Sequence, residues 1–207
     1  MSLFNSDLHQ EQILNTYLDT VYTSRKLKYS RITDLEKQHR GIDVVFHHNS
    51  KDYFIDEKAQ LHYLNQDLPT FTFELSYLNQ NNEIKEGWLF DRSKSTQFYF
   101  LITGIILKNS QTKLLSPNDI KALKITSVNR KKLIKLLKQK GLSRHKLDQY
   151  DLDIRNTESF GKNFIPELNH KSAGLLYYSK QLAEHPVNLQ LRLEYLIRCK
   201  VAKAFHF

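Results

Sequence analysis

The sequence contains little of what a disulfide-bonded or membrane-anchored protein requires. Its single cysteine, Cys199, excludes an internal disulfide and a thiolate metal cluster. The longest apolar run, residues 98–107, is half as long as the roughly 20 residues that a membrane-spanning helix needs. The first residues carry neither a basic start nor an apolar stretch, so we expect no signal peptide, no membrane partner and a cytoplasmic location.

Glycine and proline are also scarce, with 6 and 4 residues in a chain of 207, which argues against long flexible linkers. The hydrophobic share of 40% and the charged share of 26% are ordinary for a globular protein. We therefore expect residues 1–115 to form a core domain. Residues 116–207 are expected to form a helical C-terminal part that packs on this core and does not fold independently.

Positive charge is abundant and unevenly distributed. Residues 121–150 hold ten basic residues and one acidic residue, an excess equal to the whole net charge of +9. A basic patch on an otherwise neutral body is typical of a protein that binds a polyanion, although a solvated lysine-rich helix face gives the same pattern. If residues 127–140 form a helix, its leucines pack inward and four basic side chains face phosphate: Arg130, Lys131, Lys135 and Lys138.

Periodicity predicts an α/β fold. A helical pattern over residues 7–24 precedes several extended runs, predicted as strands at 42–46, 53–60, 71–78, 84–90 and 98–107. The first two runs read as an antiparallel hairpin, as do the next two, and the last run reads as a buried central strand. From Ser116 onward the pattern predicts helices at 117–124, at 127–140 and from Asn188.

Two acids and a lysine occupy the first predicted hairpin. Twelve residues separate Asp43 from Asp56, and Lys58 follows two positions later. Because side chains alternate along a strand, Asp56 and Lys58 share one face while Glu57 faces the other way. If the strands pair, Asp43 reaches the same end of the sheet. Two carboxylates suit Mg²⁺, and an added amine completes a set of groups able to hydrolyse a phosphodiester.

This arrangement resembles the active-site signature of the PD-(D/E)XK nuclease superfamily, which has the restriction-endonuclease-like fold. Asp43 matches the first acid, Asp56 the second acid and Lys58 the lysine, within a Gly-Ile-Asp-Val context at residues 41–44. The resemblance implies an αβββαβ core with a mixed sheet, here followed by C-terminal helices. Ile42 replaces the proline that names the motif, and a hairpin at 71–90 stands where the family has a helix.

The resemblance also implies further site residues. Glu57 would join the metal shell through its backbone carbonyl, Gln60 would be a polar companion of the lysine, and Glu11 on the first helix would be an auxiliary acid. Mg²⁺, or Mn²⁺ in its place, would be the cofactor.

We therefore expect a metal-dependent nuclease that acts on DNA. Two alternatives stay open: a non-catalytic nucleic-acid-binding protein that retains the nuclease fold, and a structural module whose basic patch meets an acidic protein. Asp56 and Lys58 would then form only a surface ion pair, which contributes little stability. Because cutting a duplex often takes two active centres, a homodimer is compatible with the first hypothesis.

Overall fold

The computed structural model describes the backbone of residues 3–207 and the side chains of residues 8–109 and 111–207. The fold is α/β, with two compact units. The first contains the chain up to Leu68, Ser95–Val128 and Lys203–Phe207; the second contains Pro69–Lys94 and Asn129–Ala202. This interleaving differs from the single division after residue 115 that the sequence predicts.

The described residues form five α-helices and eleven β-strands. The helices are α1 (Leu3–Ser24), α2 (Leu35–His39), α3 (Arg130–Gln139), α4 (Arg144–Asn156) and α5 (Leu193–Arg198). The strands are β1 (Tyr29–Arg31), β2 (Val44–His48), β3 (Lys51–Ala59), β4 (Thr70–Leu78), β5 (Ile84–Glu86), β6 (Phe98–Leu107), β7 (Ile120–Asn129), β8 (Gly161–Asn163), β9 (Gly174–Tyr178), β10 (Val187–Arg192) and β11 (Ala202–His206).

A six-stranded mixed sheet forms the first unit, in the order β1-β2-β3-β6-β7-β11. Strand β2 runs antiparallel to both of its neighbours, β1 and β3, whereas β6 runs parallel to β3. Helix α1 packs its apolar stripe against this sheet through Ile13, Leu14, Leu18, Val21 and Tyr22. The predicted first helix and the predicted central strand at 98–107 are confirmed.

The β2–β3 hairpin is confirmed, with a tighter turn than the sequence suggests. Asn49 and Ser50 both have positive φ, 50° and 57°, which is the conformation of a two-residue type I′ turn. The resulting register pairs Val44 with Ile55. The pairing ends at this step, and Asp43 lies at a bend just before β2, with its carboxylate beside that of Asp56.

The second unit contains a five-stranded antiparallel sheet in the order β5-β4-β10-β9-β8. The predicted hairpin at 71–90 is present as β4 and β5, and it belongs to this sheet rather than to the six-stranded one. Leu189 of the central strand β10 pairs with Phe73 on one side and with Leu176 on the other. Helix α4 lies against β4, and the sequence analysis did not predict α4.

Two predicted helices are wrong. Residues 117–124 form a single 3₁₀ turn, Pro117–Asp119, followed by β7. Ser116 does cap that turn, but β-branched residues such as Ile120 and Ile125 then continue as a strand. The helix predicted from Asn188 is the strand β10, then the short α5, then the strand β11.

The predicted helix at 127–140 is confirmed as α3, although it starts later. Asn129 rather than Ser127 is its N-cap, accepting a hydrogen bond from the Lys132 amide. Gly141 follows the helix with φ of 83°, in the left-handed conformation expected after a helix end. Across the described part of the chain, no helix is long and apolar enough to cross a membrane.

The turn of the β2–β3 hairpin gives a first prediction. Ser50→Gly should stabilise the protein by about 0.5–1 kcal/mol, because glycine adopts the left-handed conformation without strain. The measurement is the urea midpoint at unchanged m-value. Ser127→Gly, in the extended strand β7, is the matched control and should lower the midpoint. A lower midpoint for Ser50→Gly as well would contradict the left-handed turn.

Candidate functional site

Asp43 and Asp56 meet at the open end of the β2–β3 hairpin. The Asp43 amide donates to the Ile55 carbonyl at 2.8 Å, which extends the strand pairing by one step. The Asp43 carboxylate accepts a hydrogen bond from the Glu57 amide at 2.7 Å, between Asp43 Oδ2 and Glu57 N. The first acid of the motif is thereby fixed to the backbone of the second strand, beside the second acid.

The Asp56 carboxyl is almost inaccessible, with 2% of the residue exposed. Its Oδ1 lies 2.8 Å from the Lys58 amine, whose side chain is 35% exposed. Burial raises the pKa of Asp56 to about 6, because the effect of desolvation and of the nearby Asp43 carboxylate exceeds the lowering by Lys58. The two acids and the lysine therefore form one interacting group, as the sequence predicts.

Glu57 faces the other side of the sheet, as strand alternation predicts. The Tyr22 hydroxyl donates to Glu57 Oε1 at 2.5 Å, and Arg31 Nη1 donates to Glu57 Oε2 at 2.7 Å. The Glu57 side chain is only 5% exposed. Burial raises the pKa of Glu57, while Arg31 and Tyr22 oppose that rise. The metal contact expected through the Glu57 backbone carbonyl stays a prediction.

Arg31 extends this contact into a network. Its Nε lies 2.8 Å from Asp19 Oδ1 and 3.0 Å from Asp19 Oδ2, while its Nη1 binds Glu57. Asp19 and Tyr22 belong to α1, Arg31 to β1 and Glu57 to β3, so three elements meet behind the carboxylate pair. Sequence analysis missed Asp19, Tyr22 and Arg31. The one available signal was Glu57, because strand alternation places this acid on the face of the sheet that α1 covers.

Gln60 and Glu11 are the remaining predicted site residues. Gln60 directly follows β3, and its backbone N–H donates to the Ile102 carbonyl at 3.0 Å. Glu11 is exposed on α1, 11 residues before Tyr22. At 1.5 Å per residue, this separation is about 16 Å along the helix axis. The auxiliary role of Glu11 stays a prediction.

The carboxylate pair fits a magnesium ion by its donor chemistry. Among the side chains of residues 8–109 and 111–207, no group of three or more His, Cys, Asp or Glu residues could hold a metal. Mg²⁺ differs from zinc in needing only one or two carboxylates, because it retains several waters and shares its remaining positions with substrate phosphates. Asp43 and Asp56 supply that number of hard oxygen ligands, whereas a closed structural metal site would need more.

The basic residues of α3 divide into two kinds. Arg130 donates to three backbone carbonyls, those of Leu89 at 3.2 Å, Asp91 at 2.6 Å and Lys94 at 3.1 Å. It therefore holds the loop that follows β5. The other three predicted residues are exposed and share one face of the helix: Lys131, Lys135 and Lys138. Of the four residues predicted to face phosphate, these three present their charge outward from α3.

The buried Asp56 carboxyl makes the stability of the metal-free protein depend on pH. Its folded pKa of about 6 lies above its ordinary value of 3.8, so folding favours the protonated form. That contribution is complete below about pH 4 and is lost as the pH rises through 6, by about 3 kcal/mol. Asp56→Asn, which cannot ionise, should lack this loss in urea titrations performed in EDTA.

Two further variants check the cause. Lys58→Met should enlarge the loss, because the amine holds the pKa of Asp56 down, and Asp43→Asn should reduce it, because the neighbouring carboxylate holds that pKa up. Parallel stability curves for the wild type and Asp56→Asn between pH 4 and pH 8 would contradict the assignment.

No protein-family model matches the chain, and neither a curated protein nor a solved structure matches it. Its function is therefore inferred from its own residues: two carboxylates and an amine on one face of a hairpin, with a paired acid on the other face.

Proposed function

We propose that this chain is a metal-dependent nuclease of the PD-(D/E)XK type that hydrolyses phosphodiester bonds in DNA. One observation carries the proposal. Asp43 and Asp56 interact on one face of an antiparallel hairpin, and the Lys58 amine lies 2.8 Å from Asp56 on the same face. Together these groups have the ligand chemistry and the positive charge that metal-assisted phosphodiester hydrolysis requires.

The order of elements in the first unit supports a restriction-endonuclease-like core. Helix α1 precedes the antiparallel strands β1, β2 and β3, and the next strand of the same sheet, β6, runs parallel to β3. This agrees with an αβββαβ core in which residues 60–97, including the β4–β5 hairpin, take the place of the crossover helix. The departure noted in the sequence thus affects the connection and leaves the strands around the carboxylates unchanged.

Each residue of the group then has a distinct task. Asp43 and Asp56 would hold the ion through their carboxylate oxygens. A bound Mg²⁺ or Mn²⁺ supplies a more acidic water and positive charge next to the scissile phosphate. Lys58, more exposed than its acidic partner, can turn toward the phosphate, orient the attacking water and offset the negative charge that develops.

Charge on the second unit supports a polyanionic substrate. Lys131, Lys135 and Lys138 are exposed on one face of α3, and the chain as a whole carries a net charge of +9. Lysines arranged in this way contact phosphates without reading sequence, and each contact releases counterions. We therefore propose that α3 contributes non-specific affinity for the DNA backbone.

Substitutions in the hairpin test the catalytic proposal. Asp43→Asn, Asp56→Asn and Lys58→Ala should each lower cleavage of plasmid and single-stranded DNA roughly 10²–10⁴-fold in Mg²⁺ or Mn²⁺. The two Asn variants should also bind Mn²⁺ more weakly, whereas Lys58→Ala should not. Asp52→Asn, an exposed acid on the same strand, is the control and should cleave normally.

Wild-type cleavage by any of the three variants would refute the assigned site. Salt-sensitive DNA binding without any metal-dependent cleavage by the wild type would instead favour the non-catalytic nucleic-acid-binding alternative.

A second test addresses α3. Replacing Lys131, Lys135 and Lys138 with Gln should weaken DNA binding and reduce the slope of log Kd against log salt by up to about 0.9 per lost phosphate contact. The control replaces three other exposed lysines of the second unit with Gln, which changes the net charge equally: Lys162, Lys171 and Lys180. Equal effects of the two triple variants would show that net charge, and not α3, determines binding.

A further inference from the structure

The peptide unit between Asp56 and Glu57 joins the two faces of β3. Its N–H donates to the Asp43 carboxylate at 2.7 Å on the side where the acids meet. The side chain that follows it is held on the opposite side by Tyr22 at 2.5 Å and Arg31 at 2.7 Å. A rotation of this peptide would therefore move the donor away from Asp43 and shift Asp56 at the same time.

The buried carboxylate of Glu57 needs an explanation. The two nearest side chains on that face of the strand, Ile55 and Ala59, are apolar and belong to the core that includes α1. Burying a charge costs free energy unless it is fully paired, and an apolar side chain of similar volume is often at least as stabilising. Glu57 is paired by a guanidinium and a hydroxyl whose positions are set by β1 and α1. Compared with an apolar residue, Glu57 adds hydrogen bonds that fix the direction of its side chain.

We propose that Glu57 is a positioning residue: Tyr22 and Arg31 hold its side chain behind the strand, and its backbone N–H thereby holds the Asp43 carboxylate beside Asp56. This inference rests on the proposed function for its consequence, which is a preformed ion-binding pair. Without the anchor, two close carboxylates would separate, since like charges repel. Partners of metal ligands that act in this indirect way typically change metal affinity or activity 10–100-fold when removed.

Tyr22→Phe and Glu57→Gln test the anchor with little change of volume. The first removes one donor to Glu57, and the second replaces an oxygen that accepts from Arg31 or Tyr22 with an NH₂ group. Tyr17→Phe is the matched control, since it also removes a hydroxyl from α1. The Tyr17 hydroxyl has no hydrogen-bond partner among the described residues. Should Glu57→Gln fail to fold, Tyr22→Phe leaves the buried ion pair with Arg31 in place and carries the test.

The primary measurement is the amide proton shift of Glu57 in the metal-free protein, by ¹H–¹⁵N NMR. A short hydrogen bond to a carboxylate moves this proton downfield, and both variants should move it upfield while Tyr17→Phe leaves it unchanged. The second measurement is Mn²⁺ affinity by electron paramagnetic resonance, which should fall about 10–100-fold in both variants at a temperature where they are folded.

The outcomes separate the two proposals. If the wild type neither binds Mn²⁺ nor cleaves DNA, the proposed function fails, and the amide shift still decides whether Glu57 positions Asp43. If both variants keep the wild-type amide shift, or bind Mn²⁺ as tightly as the wild type and lose only thermal stability, the network is merely structural and the inference is overturned.

Discussion

The register of the β2–β3 hairpin determines everything else at the site. Two consecutive residues with positive φ, Asn49 and Ser50, close the turn in the shortest way that matches the twist of the strands. The pairing that follows ends at Val44 and Ile55, and it brings the next residue, Asp43, beside Asp56. A slip of one residue would turn every side chain of one strand to the other face and would exchange Asp56 with Glu57. The site therefore depends on a turn that contains none of its residues.

Two consecutive acids of β3 are buried in opposite ways. Glu57 is satisfied by a guanidinium and a hydroxyl, and both of its carboxylate oxygens accept a hydrogen bond without any ligand. Asp56 has a single amine as its ion-pair partner, lies beside another carboxylate, and has a pKa raised to about 6. Such an unfavourable electrostatic environment is typical of functional sites, where groups are arranged for a ligand rather than for the stability of the empty protein.

Local rules were sufficient to predict that Asp43, Asp56 and Lys58 come together, because alternation along a strand and pairing across a short turn involve neighbouring residues. The same rules failed where one pattern fits two structures. Leu189, Leu193 and Leu196 fit a helical stripe, yet Leu189 lies in β10, where buried residues alternate with half-buried ones. The network around Glu57 could not be predicted, since no periodic rule connects positions 19, 22, 31 and 57. Such contacts depend on how α1 packs, which is tertiary information.

The interleaving of the two units has a consequence for how this chain can be made and dissected. Strand β3 pairs with β6 across 43 positions of sequence, as Ile55 with Phe98, so the sheet closes around a long insertion and its assembly carries a loop-closure cost. The last strand, β11, returns from the second unit to the edge of the first sheet beside β7. The sheet is therefore complete only after β11 has been synthesised, and no single cut yields either unit as a continuous fragment.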